Sequence, residues 1–216
     1  MCLLTKKQTE FCNSIAQALR KYAPCYNIYC YSAIIAQAII ESNWGKSSLS
    51  ADYHNYFGIK CGSNWDSKSV NMTTKEEYTR GSITTIKDNF RVYDSLEDGV
   101  KGYLLFINTK RYANLKNVYD YKTYIENIKA DGYATSSKYV STLVKTVEKY
   151  NLTQYDPMND DYKLALDVIA GKYGNGATRK MKLGSKFSRV QKIVNEILST
   201  KHWNFFTWHI TWFVLI

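Results

Sequence analysis

The sequence has little of what marks several common protein classes. Only two of its 216 residues are proline, which excludes a long disordered proline-rich tract. The three histidines (His54, His202 and His209) make no zinc-type spacing with each other or with the cysteines, so neither a metal nor another cofactor is expected. The five cysteines are odd in number and lie in the first third of the chain, which indicates reduced thiols rather than a disulfide framework.

The chain also lacks a hydrophobic run of membrane-spanning length. Its first residues, MCLLTKKQTE, do not have the basic start and apolar stretch of a secretory signal, so we expect synthesis in the host cytoplasm without a signal peptide. The apolar tail 201–216 is shorter than the roughly 20 residues that cross a bilayer, and stable membrane insertion is not expected. Three alternatives remain for this tail. It could dock on the small C-terminal module, it could contact a membrane surface, or it could result from a frameshift or truncation of the gene.

Acidic residues are few, with 19 Asp and Glu against 29 Lys and Arg, which gives a formal charge of +10. A basic protein is attracted to nucleic acids, anionic membranes or acid-rich cell walls. No aromatic and basic motif of a nucleic-acid-binding module stands out, so nucleic acid is not the expected partner. Nineteen tyrosines offer flat apolar faces with a hydroxyl, which suit contacts with sugars.

Hydrophobic periodicity predicts an α+β chain that is mainly α. Helices are expected over 5–22, 31–44, 119–129 and 136–150, with another after DSLEDG, and a hairpin or three short strands before it. The predicted organisation is a first domain over 1–150, a polar linker over 151–161, a small helical module over 162–200 and the apolar tail 201–216.

The segment AIIAQAIIESNWGKSS, residues 33–48, contains the first candidate for chemistry. On a helix, Ile34, Ala38 and Glu41 share one face, so Glu41 is expected to continue a buried stripe. Desolvation favours the protonated carboxyl, which suits a general acid of the kind that glycosidases use, and Trp44 could supply an apolar wall. The alternative is a helix-terminal glutamate that simply points to water.

Five blocks in order, AQAIIESNWGKS, NYFGIK, TKEEYTRG, FRVYDSLEDGV and GYATSSKYV, resemble the glucosaminidase family, glycoside hydrolase family 73, of autolysins, flagellar-rod hydrolases and phage endolysins. The resemblance covers about residues 8–150. It implies a lysozyme-like helical domain with a small β lobe across a groove, and peptidoglycan as the substrate. The bond cleaved would be the β-1,4 link after N-acetylglucosamine.

The same resemblance implies roles for particular residues. Glu41 matches the general acid, Glu77 best matches a second carboxylate on the β lobe, with Glu76 as the alternative, and Tyr133 matches a tyrosine near the sugar at the cleavage point. The expected substrate-binding residues of this domain are Trp44, Ser47, Asn55, Phe57 and Lys60. For these residues the alternative is a purely structural role. Trp44 and Phe57 would then pack in the core, and Asn55 and Lys60 would tie a loop.

The segment DVIAGKYGNGATRKMKLGSKFSRVQKIVNEIL, residues 167–198, resembles the CW-seven type of cell-wall-binding repeat. Its implied ligand is the muropeptide of peptidoglycan, with Lys172 and Arg179 meeting stem-peptide carboxylates. GSKF replaces the repeat's Ala-Gly-Tyr-Asp segment, and the alternative is a helical module that only packs.

The sequence therefore predicts a monomeric endo-β-N-acetylglucosaminidase acting at the bacterial cell wall, of the phage or prophage endolysin type. Two alternatives remain. A lytic transglycosylase uses one glutamate on a similar fold, and a noncatalytic protein would bind the wall without cutting it.

Overall fold

The computed structural model describes residues 3–79, 82–157, 159–195 and 197–198, although the side chains of 75–79, 82–83 and 159–160 are not described. The predicted apolar tail 201–216 lies outside the described residues. The chain divides after Asp156 into two compact units. Within the described ranges, no helix combines the length and apolar character needed to cross a membrane.

The first unit is mainly helical with one small antiparallel sheet, which confirms the predicted fold class. Its helices are α1 (Lys6–Tyr22), α2 (Tyr31–Ser42), α3 (Ser48–Ala51), α4 (Leu96–Ile107), α5 (Tyr121–Ala130) and α6 (Tyr139–Lys149). Short 3-10 helices cover Ala23–Tyr26, Lys110–Leu115 and Leu152–Tyr155. The sheet is the hairpin of β1 (Ser69–Thr79) and β2 (Ser82–Arg91).

Local sequence signals explain where several helices begin. Thr5 caps α1 through a capping box with Gln8, because its side chain accepts from the Gln8 backbone N–H while the Gln8 side chain accepts in return. Ser95 caps α4 by accepting from the backbone N–H of Asp98. Helix α2 ends at Ser42 rather than at the predicted residue 44, because Asn43 already has the left-handed conformation that ends helices.

Helix α2 forms the centre of the first unit. Every residue from Tyr31 to Ile39 is buried, so the helix has no solvent-facing stripe in this stretch and contacts neighbours on all sides. Its surroundings include α1, α5, α6 and the 3-10 helix Leu152–Tyr155. Burial on all sides explains why the segment is almost entirely Ala and Ile.

The predicted linker begins with residues that pack in the first unit. Leu152 is fully buried and Tyr155 is almost fully buried in the core of that unit. Asp156 accepts a hydrogen bond from the backbone N–H of Ser32 at 2.6 Å, in the first turn of α2. The described residues therefore extend the packed part of the first unit to Asp156, beyond residue 150.

The second unit contains α7 (Asn159–Ile169), α8 (Gly176–Leu183) and a helical stretch over residues 187–195. Its small core is formed by Tyr162, Ala165, Val168, Leu183, Val190, Val194 and Ile197. A Gly-rich turn precedes α8. Left-handed Gly174 and Gly176 belong to the turn that leads into this helix.

Candidate active site

Glu41 lies in the last turn of α2, and its side chain is exposed. The expectation that it continues a buried stripe is therefore wrong. The reason is geometric: α2 is buried on every face up to Ile39, and it leaves the core at Ile40 and Glu41 together. In the free protein, the Glu41 side chain is therefore not desolvated by the helix core.

The Glu41 carboxylate nevertheless has a defined neighbourhood. A Cβ atom built on Gly58 would lie 3.6 Å from Glu41 Oε2, and Gly58 has a φ of +63°. The backbone of the loop over residues 55–61 therefore passes directly beside the carboxylate. Glycine adopts this left-handed conformation without strain, whereas a residue with a side chain would be strained here.

Asn55 fixes that loop. It is almost fully buried, its Nδ2 donates to the carbonyls of Ile59 and Arg91 at 2.9 Å each, and its Oδ1 accepts from the Ile59 backbone N–H at 2.9 Å. With these bonds made, the amide has a structural role, which is the alternative that the sequence left open. It ties the loop beside Glu41 to the end of β2.

Tyr133 lies close to Glu41, and its hydroxyl donates to the Phe57 carbonyl at 2.7 Å. Burial raises the pKa of Tyr133 well above 10, and the charges of Tyr139 and Glu41 add to the rise. The side chain is thus a neutral phenol whose proton is held by the loop. Phe57 itself is buried and stacks on Tyr103 with ring centroids 4.2 Å apart.

A buried polar network underlies this region. Gln37, one turn before Glu41, donates through Nε2 to the Tyr139 hydroxyl at 2.8 Å and accepts through Oε1 from the Tyr103 hydroxyl at 2.6 Å. The hydroxyls of Tyr103 and Tyr124 lie 3.0 Å apart. Gln37 belongs to the motif, but sequence reasoning gave it no role. A glutamine inside an Ala and Ile helix was the available signal, because a buried amide requires partners.

Two of the predicted substrate-binding residues make contacts within the protein, and their role toward the substrate stays a prediction. Trp44, expected as a wall for Glu41, contacts Phe11 and Tyr150 with ring centroids 6.1 and 5.0 Å away. Ser47 caps the short helix α3 by accepting from the backbone N–H of Ser50 at 3.3 Å. Both residues shape the chain that follows Glu41.

Lys60 closes the loop on its other side. Its backbone forms a β-bridge with Phe90, and its Nζ lies 3.0 Å from the Asp88 carboxylate. The ion pair is partly exposed, and the adjacent Lys60 ammonium is the main influence that lowers the pKa of Asp88 against the opposing effect of burial. The base of the hairpin is therefore attached to the same loop that passes Glu41.

The two candidate second carboxylates lie far along this hairpin. Glu76 pairs with Thr84, and Glu77 falls in the irregular stretch between Glu76 and Thr79. From Ser69 at the base, eight residues of strand extend roughly 26 Å. The choice between Glu76 and Glu77 remains a prediction, because their side chains lie outside the described set.

The second unit uses its two predicted ligand residues internally. Lys172 pairs with Asp167 at 2.6 Å on the surface. Arg179 donates to the Gly174 carbonyl, to Asn175 Oδ1 and to Gln191 Oε1 at 2.9 to 3.0 Å. Arg179 thus holds the Gly-rich turn against the helix over residues 187–195.

Among the residues with described side chains, no group of three or more His, Cys, Asp or Glu is arranged to hold a metal ion. The described groups beside Glu41 include the neutral phenols of Tyr133 and Tyr139 and the backbone at Gly58.

Comparison with known proteins defines the class to which this fold and site belong. The family described as mannosyl-glycoprotein endo-beta-N-acetylglucosaminidase matches residues 16–152, and the CW_7 repeat matches residues 162–198. The catalytic domain of the autolysin Auto from Listeria monocytogenes has a similar structure, with a TM-score of 0.58 and 33% identity over 72% of this chain and 91% of that chain. The fold is the lysozyme-like one of that class.

Curated relatives agree. The chain is 36% identical over 138 residues to exo-glucosaminidase LytG of Bacillus subtilis, which covers 61% of this chain and 48% of LytG. It is 34% identical over 162 residues to a probable N-acetylmuramidase of Lactococcus lactis subsp. cremoris, covering 70% and 36% respectively. The chain thus spans about half or less of the length of these relatives. It belongs to the glucosaminidase family, glycoside hydrolase family 73, and carries a CW_7 repeat.

Proposed function

We propose that the protein is a peptidoglycan hydrolase that cleaves the β-1,4 glycan bond after N-acetylglucosamine within the strand. The observation that carries the proposal is the position of Glu41. Its carboxylate stands at the end of the central helix, beside the Gly58 backbone and the neutral phenols of Tyr133 and Tyr139, in a chain of this family.

In this proposal Glu41 is the general acid that donates a proton to the glycosidic oxygen. Because its side chain is exposed in the free protein, the desolvation that favours a protonated carboxyl comes from the bound glycan. The hydrogen bond from the Tyr133 hydroxyl to the Phe57 carbonyl holds the loop in place. The loop beside Glu41 is therefore already positioned before the substrate binds.

The second role is assigned to Glu77, with Glu76 as the alternative. Carboxyl groups about 5 Å apart retain the anomeric configuration, and a wider separation inverts it by leaving room for water. A third route uses the acetamido oxygen of the substrate as nucleophile. Loss of activity in Glu77→Gln with full activity in Glu76→Gln supports the first assignment. Full activity in both variants supports the third route.

Glu41→Gln tests the central assignment. It keeps the size of the side chain and removes the proton donor, so the rate of release of reducing ends from purified cell wall should fall about 100- to 10 000-fold. Glu10→Gln, which removes another exposed carboxylate, from α1, serves as the matched control. Unchanged circular dichroism shows that the fold is kept. Near wild-type hydrolysis by Glu41→Gln contradicts the assignment.

Mass spectrometry of the digested wall distinguishes the alternatives. N-acetylglucosamine at the new reducing end supports the proposal, whereas muramic acid there would indicate the bond suggested by the name of the Lactococcus lactis relative. Anhydro ends would indicate a lytic transglycosylase, and wall binding without new ends would indicate a noncatalytic protein.

The CW_7 repeat supports the finer proposal that the second unit binds the muropeptide of the wall. A weak binder linked to an enzyme raises its local concentration on a polymeric substrate. We assign the protein to the endolysin type of a phage or prophage, acting at the bacterial wall as a monomer. Lysis of host cells on co-expression with a pore-forming protein, and no lysis without it, tests that assignment.

A further inference from the structure

Arg91, at the end of β2, has an environment that the proposed reaction does not yet use. Its guanidinium carbon lies 4.4 Å from the Trp65 ring centroid and 5.6 Å from that of Phe106. All three side chains are half-buried. The cation is therefore stacked between two aromatic rings, an arrangement that Arg favours because its guanidinium is planar and weakly hydrated.

The loop beside Glu41 fixes the backbone of Arg91 and one nitrogen of its side chain. Arg91 Nε donates to the Lys60 carbonyl at 3.2 Å, and the Arg91 backbone N–H donates to the Ile59 carbonyl at 3.0 Å. The Arg91 carbonyl accepts a hydrogen bond from Asn55 Nδ2. The first bond fixes one guanidinium nitrogen and the other two fix the Arg91 backbone, which restricts the directions open to the remaining N–H groups.

Those remaining N–H groups have no acidic partner among the side chains that the structure describes. Within the part of the chain whose side chains are described, no carboxylate lies within 4 Å of Arg91. Burial raises the pKa of Tyr93, and the adjacent Arg91 guanidinium opposes that rise, so the Tyr93 hydroxyl lies beside Arg91. An Arg that is held half out of water without a carboxylate partner is suited to an external anion.

The location of Arg91 relative to Glu41 indicates which anion Arg91 binds. Gly58 passes Glu41 and Lys60 accepts from Arg91, and two residues of chain span at most about 7 Å. Phe106, which stacks on Arg91, also contacts Tyr133 with ring centroids 6.0 Å apart. Arg91 is therefore linked to the region of Glu41 in two ways, through the loop over residues 55–61 and through the rings of Phe106 and Tyr133.

We propose that Arg91, held between Trp65 and Phe106, binds a carboxylate carried by the muramic acid side chain of the substrate. This inference rests on the proposed function and adds a preference for acidic glycan over neutral glycan. The carboxylate has two possible sources, the stem peptide or the lactyl group of a peptide-free muramic acid. A bidentate contact with the two terminal nitrogens is the geometry that Arg provides and Lys does not.

The test compares kcat/KM for four glycans: peptide-bearing and peptide-stripped peptidoglycan, each with free carboxylates and with carboxylates converted to amides. Arg91→Gln should lower kcat/KM about tenfold or more on free carboxylates. On amidated glycan, wild type and variant should be equal. Arg91→Lys should recover only part of the loss. Whichever of the two unmodified substrates shows the effect identifies the source of the carboxylate.

Arg20→Gln is the matched control, because it removes the same charge from an exposed position in the last turn of α1. It should leave the dependence on amidation unchanged. An equal loss by Arg91→Gln on free and amidated glycan would mean that Arg91 only supports the loop, and would overturn the inference alone. If wild type released no reducing ends from any of the four glycans, the proposed function would fail and the inference with it.

Discussion

Asp156 gives the sharpest test of how the first unit holds its central helix. Helix α2 has Cys30 at its N-cap position, and no side chain near it in sequence makes the capping bond. Asp156 supplies that bond from 124 residues away by accepting from the Ser32 backbone N–H. The perturbation we choose is Asp156→Asn, which keeps an acceptor oxygen in place and removes the charge.

The magnitude follows from the pKa of Asp156. Burial raises it from the usual 3.8 to about 6, and the hydrogen bonds from Ser32 and Tyr31 offset only part of that rise. The groups that face the carboxyl are the Cys30 thiol and the backbone and hydroxyl groups of Tyr31 and Ser32. Burial thus outweighs the attraction that a helix N-terminus has for negative charge.

The sign of the effect on stability is worked from proton binding. A carboxyl whose pKa is higher in the folded chain than in the unfolded chain binds more protons when folded, so folding is favoured at low pH. The contribution is complete below pH 3.8 and is lost as the pH rises through about 6. The difference corresponds to about 3 kcal/mol in the free energy of unfolding.

Urea unfolding of the full chain, followed by circular dichroism between pH 4 and pH 8, measures this. Wild type and Asp156→Asn should be about equally stable at pH 4, and the variant should be more stable at pH 8 by up to about 3 kcal/mol. Asp156→Ala controls for the cap itself and should be less stable than Asp156→Asn at every pH, by about 1 kcal/mol. A difference between wild type and Asp156→Asn that does not change with pH, or that favours wild type at pH 8, would refute the reasoning.

Three further substitutions test hydrogen bonds and packing in the first unit. Gln37→Leu leaves buried hydroxyls such as that of Tyr103 without their partner, so the free energy of unfolding should fall by about 1 to 3 kcal/mol, and an unchanged melting temperature would argue against the network. Asn55→Ala removes three loop hydrogen bonds. It should raise the activation free energy derived from kcat by more than it lowers the free energy of unfolding, which kinetics and thermal unfolding together measure. Gly102→Ala would place a Cβ atom 2.3 Å from the Tyr93 ring, so it should destabilise the protein by about 1 to 3 kcal/mol, whereas unaltered urea unfolding would show that the ring moves freely.

Much of the fold follows from local signals in the sequence. The hydrophobic period predicts α1 almost to the residue, and Thr5 caps it, because these determinants lie within a few residues of each other. The position of Glu41 at the end of α2 is likewise local. Its exposure is not local, since it depends on where the surrounding helices end.

The contacts that sequence reasoning missed join distant parts of the chain. Asp156 caps α2 across 124 residues, and Gln37 binds Tyr139 across 102 residues. No period or spacing encodes such pairs. The role of Asn55 was left open between substrate and loop for the same reason, because the Arg91 carbonyl that it binds lies 36 residues away.

The complete burial of α2 has a consequence for motion. A helix that contacts neighbours on every side has no easy local opening, so its amide hydrogens should exchange with solvent only when the whole unit unfolds. Exchange measured by mass spectrometry should therefore be slowest over 33–39. The carboxyl group of Glu41 is then attached to a segment whose exchange is expected to require unfolding of the first unit.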